Sequence, residues 1–88
     1  MAFRFFIEHT TYVPSRDMRI LDGQLLSGEI HIPTNATVRV GSSSVILRVT
    51  SFAMGESIED IRENRFALAI DKTDFPLDQL VGHILEEV

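Results

Sequence analysis

Met18-Arg19-Ile20-Leu21-Asp22-Gly23-Gln24-Leu25-Leu26-Ser27-Gly28-Glu29-Ile30-His31-Ile32 is the stretch on which the fold turns. It is rich in branched apolar residues, as strands are, and it lacks the sustained 3.6-residue stripe of an amphipathic helix. Gly23 and Gly28 interrupt it. A glycine inside a strand pattern marks a bulge, a barrel corner or a close backbone approach. The reading is a strand that bends, and bent strands belong to closed sheets.

The flanking segments repeat the pattern. Phe3, Phe5 and Ile7 share one face of an opening strand over Phe3–Glu8. Pro14 cannot donate to a central ladder, so Tyr12-Val13-Pro14-Ser15-Arg16-Asp17 reads as a loop. Pro33-Thr34-Asn35 is the next turn. Val38 and Val40 then alternate with Arg39, and Gly41-Ser42-Ser43-Ser44 turns the chain again. Val45, Leu47 and Val49 alternate with Ile46, Arg48 and Thr50, continuing to Phe52 and Met54. Phe66, Leu68 and Ile70 alternate with Ala67 and Ala69, and Gly82-His83-Ile84-Leu85 leads a last short strand. Strands at this spacing, separated by turn signals, indicate an all-β sandwich or barrel. Ser57-Ile58-Glu59-Asp60-Ile61-Arg62 fits either one helical turn capped by Ser57 or a loop with Ile58 and Ile61 tacked onto the core. Asp74 to Leu80 is a second loop or turn. The 88 residues allow one domain, spanning 1–88.

Composition limits the function classes. Eight basic and 13 acidic residues make a formal net charge of −5. Nucleic-acid binders normally carry a basic footprint, so this balance disfavours RNA. The halves differ in sign: Arg4, Arg16, Arg19, Arg39 and Arg48 lie early, while the segment from Glu56 holds nine acids and three bases. There is no cysteine, which excludes disulfides, thiolate nucleophiles and zinc–sulfur sites. The N-terminus Met1-Ala2-Phe3-Arg4 lacks a signal-peptide pattern, and no apolar run reaches the ~20 residues of a membrane helix. The expected location is cytoplasmic, with no membrane partner. Met1 and a closing strand suggest a complete chain.

Catalytic patterns are weak. His9, His31 and His83 show no metal-ligand spacing, so no metal is expected. Ser42-Ser43-Ser44 after Gly41 reads as a turn and lacks a nucleophile-elbow pattern. Glu59-Asp60, Glu63, Asp71, Asp74, Asp78 and Glu86-Glu87 read as a solvated acidic face. Phe5-Phe6-Ile7 is apolar on both sides of its strand. Phe6 is then either covered by a loop or part of an exposed patch for a partner or for self-association.

Read in order, these signals resemble domain 2 of the translational GTPases, the β-barrel of elongation factor Tu and its relatives. Phe3-x-x-x-Ile7-Glu8 looks like that family's opening strand. Arg16, eight residues on, stands where the family has the Arg of a Gly-Arg-Gly turn, here Ser15-Arg16-Asp17. Gly23-Gln24-Leu25-Leu26-Ser27-Gly28-Glu29-Ile30 looks like its hallmark, Gly-x-[Val/Ile]-x-x-Gly-x-[Ile/Val]. Val49 to Met54 resembles the strand ending in hydrophobic-x-Met. Asn64 to Ile70 and Gly82-His83-Ile84-Leu85 resemble the last two strands. The resemblance implies a closed six-stranded antiparallel β-barrel with Gly23, Gly28 and Gly82 as its structural glycines. It also implies, by analogy, a tRNA-end contact near Glu8 and Arg16. The phosphate-cradling Gly-x-x-x-x-Gly-Lys-[Ser/Thr] loop is missing, so no nucleotide and no cofactor are expected. The reading is a non-catalytic binding or adaptor module for a protein partner, with Glu8, Arg16, Arg19 and Phe6 as candidate binding residues. The alternatives are translation-linked RNA binding through Glu8, Arg16 and Arg19, and a small ligand at the barrel mouth.

Overall fold

Six strands form a closed antiparallel barrel in the order β1-β2-β5-β4-β3-β6. They are β1 (Arg4–Val13), β2 (Met18–Ser27), β3 (Thr34–Val40), β4 (Ser43–Met54), β5 (Arg65–Ile70) and β6 (Ile84–Glu87). One short helix, α1 (Ile58–Arg62), joins β4 to β5, and 3-10 turns occupy Pro14–Arg16 and Leu77–Leu80. This computed structural model describes residues 2–54 and 57–88. Met1, from the N-terminal reading, and Glu56, first of the acidic stretch, lie outside the described residues.

The alternating apolar residues point inward, along β4 as far as Val49; Phe52, expected to continue that pattern of β4, lies beyond a register shift at Thr50 and is exposed. Phe3, Phe5 and Ile7 meet Leu21, Ala36, Val38, Leu47, Val49, Leu68, Ile70 and Leu85 in one buried core, and Leu80 plugs one end. Side chains alternate across a strand, so each strand offers one face to this interior and one to solvent. No polar or charged residue among those described is buried, so the core carries no polar network.

Gly23 and Gly28 have separate reasons. Gly23 lies opposite Ile7, where β1 crosses so close that a Cβ on Gly23 would collide with the Phe6 carbonyl. Gly28 ends β2 in the left-handed region, with φ +78°, and a Cβ there would strike the Ala2 carbonyl. Gly82, also left-handed at φ +86°, has open space around it and serves the turn alone.

The structure departs from the sequence reading in several places. Tyr12 and Val13 continue β1 and pair with Arg19 and Met18, so the loop begins only at Pro14. Ile30 and Ile32 are not in a strand: β2 stops at Ser27, and both isoleucines pack onto the core from a loop. Of the two readings of Ser57–Arg62, the loop with Ile58 and Ile61 tacked onto the core is the one not taken. The segment forms the helical turn, with the Ser57 Oγ accepting from the Asp60 N–H at 3.0 Å, and leaves the isoleucines exposed. No helix among the described residues is long and apolar enough to cross a membrane.

Candidate interaction surfaces

The candidate site begins with a bulge. Ile7 pairs with Gly23 and His9 with Asp22, so Glu8 is the extra residue on β1. A bulge re-aims side chains and reverses the inward–outward phase of the strand beyond it. Before it, Phe3, Phe5 and Ile7 face inward; after it, Thr10 lies opposite the buried Leu21 and Tyr12 opposite Arg19. Glu8 is thereby aimed onto the outer face. There its carboxylate takes Arg65 of β5 in two hydrogen bonds, Nε–H to Oε1 at 3.0 Å and an Nη2 donor to Oε2 at 3.3 Å. Arg65 also pairs with Glu63, whose backbone carbonyl accepts from the Gln24 side chain at 2.9 Å. Glu8 holds the Arg65 guanidinium pKa above its usual value. Phe6 lies beside this network, half-buried, with Gln24 and Ile84 as its ladder neighbours. It is neither fully covered nor the centre of an apolar patch.

A second cluster occupies the tip of the β1–β2 hairpin. The Tyr12 hydroxyl donates to Asp17 Oδ1 at 2.8 Å, and Arg19 Nη1 reaches the same oxygen at 3.1 Å. The Arg19 guanidinium lies over the Tyr12 ring, 4.9 Å from its centroid. Asp17 adopts the left-handed conformation, φ 49°, that closes the preceding 3-10 turn. The Tyr12 hydrogen bond, and then Arg19, hold its carboxyl below the ordinary range. The same bond pushes the Tyr12 phenol up. Arg19 thus has its carboxylate and its aromatic face, and its side chain is only 12 % exposed. Between this cluster and the Leu77–Leu80 turn runs an open groove of about 400 Å³.

These placements split the four predicted site residues. Phe6 and Glu8 share the outer face near β5, and Arg19 sits at the hairpin tip. Arg16 is exposed on the adjacent 3-10 turn and has no ion pair among the described residues. Glu8 and Arg16 are separated by the rest of β1, five residues or roughly 16 Å at ~3.3 Å per residue. The structure does not bring them together. Of the other early arginines, Arg4 pairs loosely with Glu86 at 3.9 Å and Arg48 donates to Asn35 at 3.3 Å.

The residues that sequence reasoning missed lie at the opposite end. Phe52 is 54 % exposed at the end of β4, its ring edge-on to Phe66 with centroids 6.1 Å apart. On α1, Ile58 is 69 % and Ile61 49 % exposed. Isoleucines three apart on a helical turn, with Glu59 and Asp60 between them, share one side. That spacing was the available signal. The length of the helix hid it, since five residues are too few to show a period.

The Asp22 carboxyl is pushed up by burial, opposed by His9 across the ladder. Among the described residues no three His, Asp or Glu side chains gather as metal ligands. Comparison with known protein families, curated proteins and solved structures finds no match for this chain.

Proposed function

We propose that the chain is a non-catalytic binding module for a protein partner, built on a barrel of the elongation-factor domain 2 type. The observation that carries this reading is the set of exposed apolar side chains Phe52, near the end of β4, and Ile58 and Ile61, on the α1 turn that follows it, with the acids Glu59, Asp60 and Glu63 close by in the sequence. Large side chains left in water beside a charged rim have the composition of an interface core and its rim. The acids select a partner with a basic rim of its own. An RNA contact through Glu8, Arg16 and Arg19 has less support. Arg19 is committed to Asp17, and Glu8 and Arg16 lie apart.

The test is a pull-down from source-cell lysate with the wild-type chain and with Ile58→Lys and Ile61→Lys. Both changes are on exposed residues and should leave folding unaltered. The expected result is a protein retained by the wild type, with or without RNase, and lost from both variants. Material that disappears on RNase treatment and is indifferent to these variants would overturn the reading in favour of RNA.

A further inference from the structure

The barrel is closed, yet its closure leaves half of one strand with a single neighbour. β3 follows β4 only as far as Thr34, opposite Val49. The chain before Thr34 leaves the sheet as the loop from Gly28 to Pro33. β4 runs on through Met54, paired on one side with β5. Among the described residues, no backbone hydrogen bond reaches Thr50–Met54 from the β3 side. Thr50, Ser51, Phe52 and Ala53 are all exposed in succession, where a barrel strand ordinarily alternates.

An unpaired edge is a template for another strand, and proteins guard such edges with charge, proline, a bulge or a covering element. The bare part of β1 is guarded in this way: it runs into Pro14, and the Leu77–Leu80 turn packs against it. The β4 edge has a bulge at Thr50, the first residue of the exposed run, and among the described residues none of the other devices beyond it. From Val49 to Gly55 the sequence holds no charged residue and no proline. The Thr50 bulge directs its hydroxyl to the Ala69 carbonyl of β5, at 3.4 Å, and so keeps to the paired side.

We propose that the Thr50–Met54 edge accepts an extended segment of a partner protein as an added strand, and that this segment carries lysine or arginine beside its pairing residues. The proposal rests on the protein-binding reading and names its mode. Strand addition takes its affinity from main-chain hydrogen bonds and its selectivity from alternate side chains. Here the side-chain contacts are Phe52 with Phe66 behind it, and basic flanks answer the net charge of −5, with Glu59 and Asp60 exposed or half-exposed on the helical turn that follows the strand. Charge decides against a second copy as occupant. Each copy carries a net −5, and strand pairing at this edge would set acidic ends against each other.

The test is selection from a random peptide display library about twelve residues long, enough to cover the edge with flanks on each side. Selection is at low salt on the intact chain, followed by amide hydrogen exchange with the best peptide. The expected peptides are poor in proline, rich in β-branched and aromatic residues, and flanked by lysine or arginine. Their binding should weaken roughly tenfold between about 0.05 and 0.5 M salt as the Debye length contracts. Bound peptide should slow exchange at alternate amides within Thr50–Met54 and leave those of β5 unchanged. Phe52→Lys, and independently Ala53→Lys on an exposed small residue, should each lower affinity tenfold or more with the far-UV circular dichroism spectrum preserved. Peptides that bind without slowing those amides, and that are lost in Ile58→Lys, would overturn edge pairing while leaving the protein-binding reading in place. No enrichment at all would overturn both. A concentration-dependent dimer with these amides already protected would assign the edge to a second copy and overturn the proposed occupant.

Discussion

Gly23→Ala tests the close strand crossing on which both the barrel and the Glu8 network depend. Gly23 is not in the left-handed region, so alanine suits its backbone conformation. On backbone entropy alone the change would stabilise by about 0.4–1 kcal/mol. The surroundings reverse the sign. The new Cβ would collide with the Phe6 carbonyl, and the Phe5 ring lies 3.0 Å from it on another side. The carbonyl belongs to a strand bonded on both edges, to β2 and to β6, so it has no free direction in which to yield. Overpacking of this kind costs about 1–3 kcal/mol, and straining one or two ladder hydrogen bonds adds roughly 0.5–1.5 kcal/mol each. Set against the entropic gain, the net loss lies between about 0.5 and 5.5 kcal/mol and centres on about 2–4 kcal/mol, a large part of the ~4–13 kcal/mol expected for a domain of this size. Thermal unfolding by circular dichroism should show Tm lower by roughly 10–25 °C, at about 4–8 °C per kcal/mol. Gly41→Ala is the control. Gly41 has φ 62° but nothing within 4 Å of its Cβ position, so it carries only the left-handed penalty of about 1–2 kcal/mol. If Gly23→Ala proves as stable as wild type, or milder than Gly41→Ala, then β1 does not press on Gly23 and the close crossing is refuted.

The same contacts give three further outcomes. Asp17 has a folded pKa below its unfolded value, so its contribution to stability is present above the ordinary carboxyl range and is lost as pH falls through the folded value. Tyr12→Phe removes the largest cause, so an NMR titration should show the Asp17 carboxyl moving back up, and an unmoved carboxyl would show that Tyr12 does not hold it down. Asp22 has the opposite sign: burial raises its pKa, so stability falls as pH rises from the unfolded value through the raised one, and Asp22→Asn should flatten that limb in urea titrations across pH. Leu68→Ala empties a fully buried position of the core and should cost about 2–5 kcal/mol in urea denaturation, with a smaller loss meaning that the barrel collapses around the gap.

Much of the architecture was legible in local pattern. Alternation at Phe3-Phe5-Ile7, Val45-Leu47-Val49 and Phe66-Leu68-Ile70 is the period of a half-buried strand, and all nine residues point to the core side of the sheet. The Ser57 cap was one of two local readings, and the structure takes it, through a hydrogen bond that spans three residues. The end of β2 was not. Ile30 and Ile32 have strand chemistry, and the left-handed Gly28 turn, packed too close to the Ala2 carbonyl for any Cβ, takes them out of the ladder and onto the core.

The candidate surfaces were the least legible part, for the same reason. Glu8 was singled out through the family resemblance alone, and its partner Arg65 stands 57 residues away and is brought to it by β2 lying between their strands. The phase reversal that puts Tyr12 opposite Arg19 comes from one unpaired residue, and a bulge exists only once two strands are in register. Exposure at Phe52 depends on where β3 stops. The residue types, their two-residue alternation, the turns and the charge balance belong to the chain itself, since each acts over a few neighbours. Which strand stops short, which arginine is neutralised and which apolar side chains stay in water belong to the closed barrel, because each is settled by contacts between residues far apart in sequence.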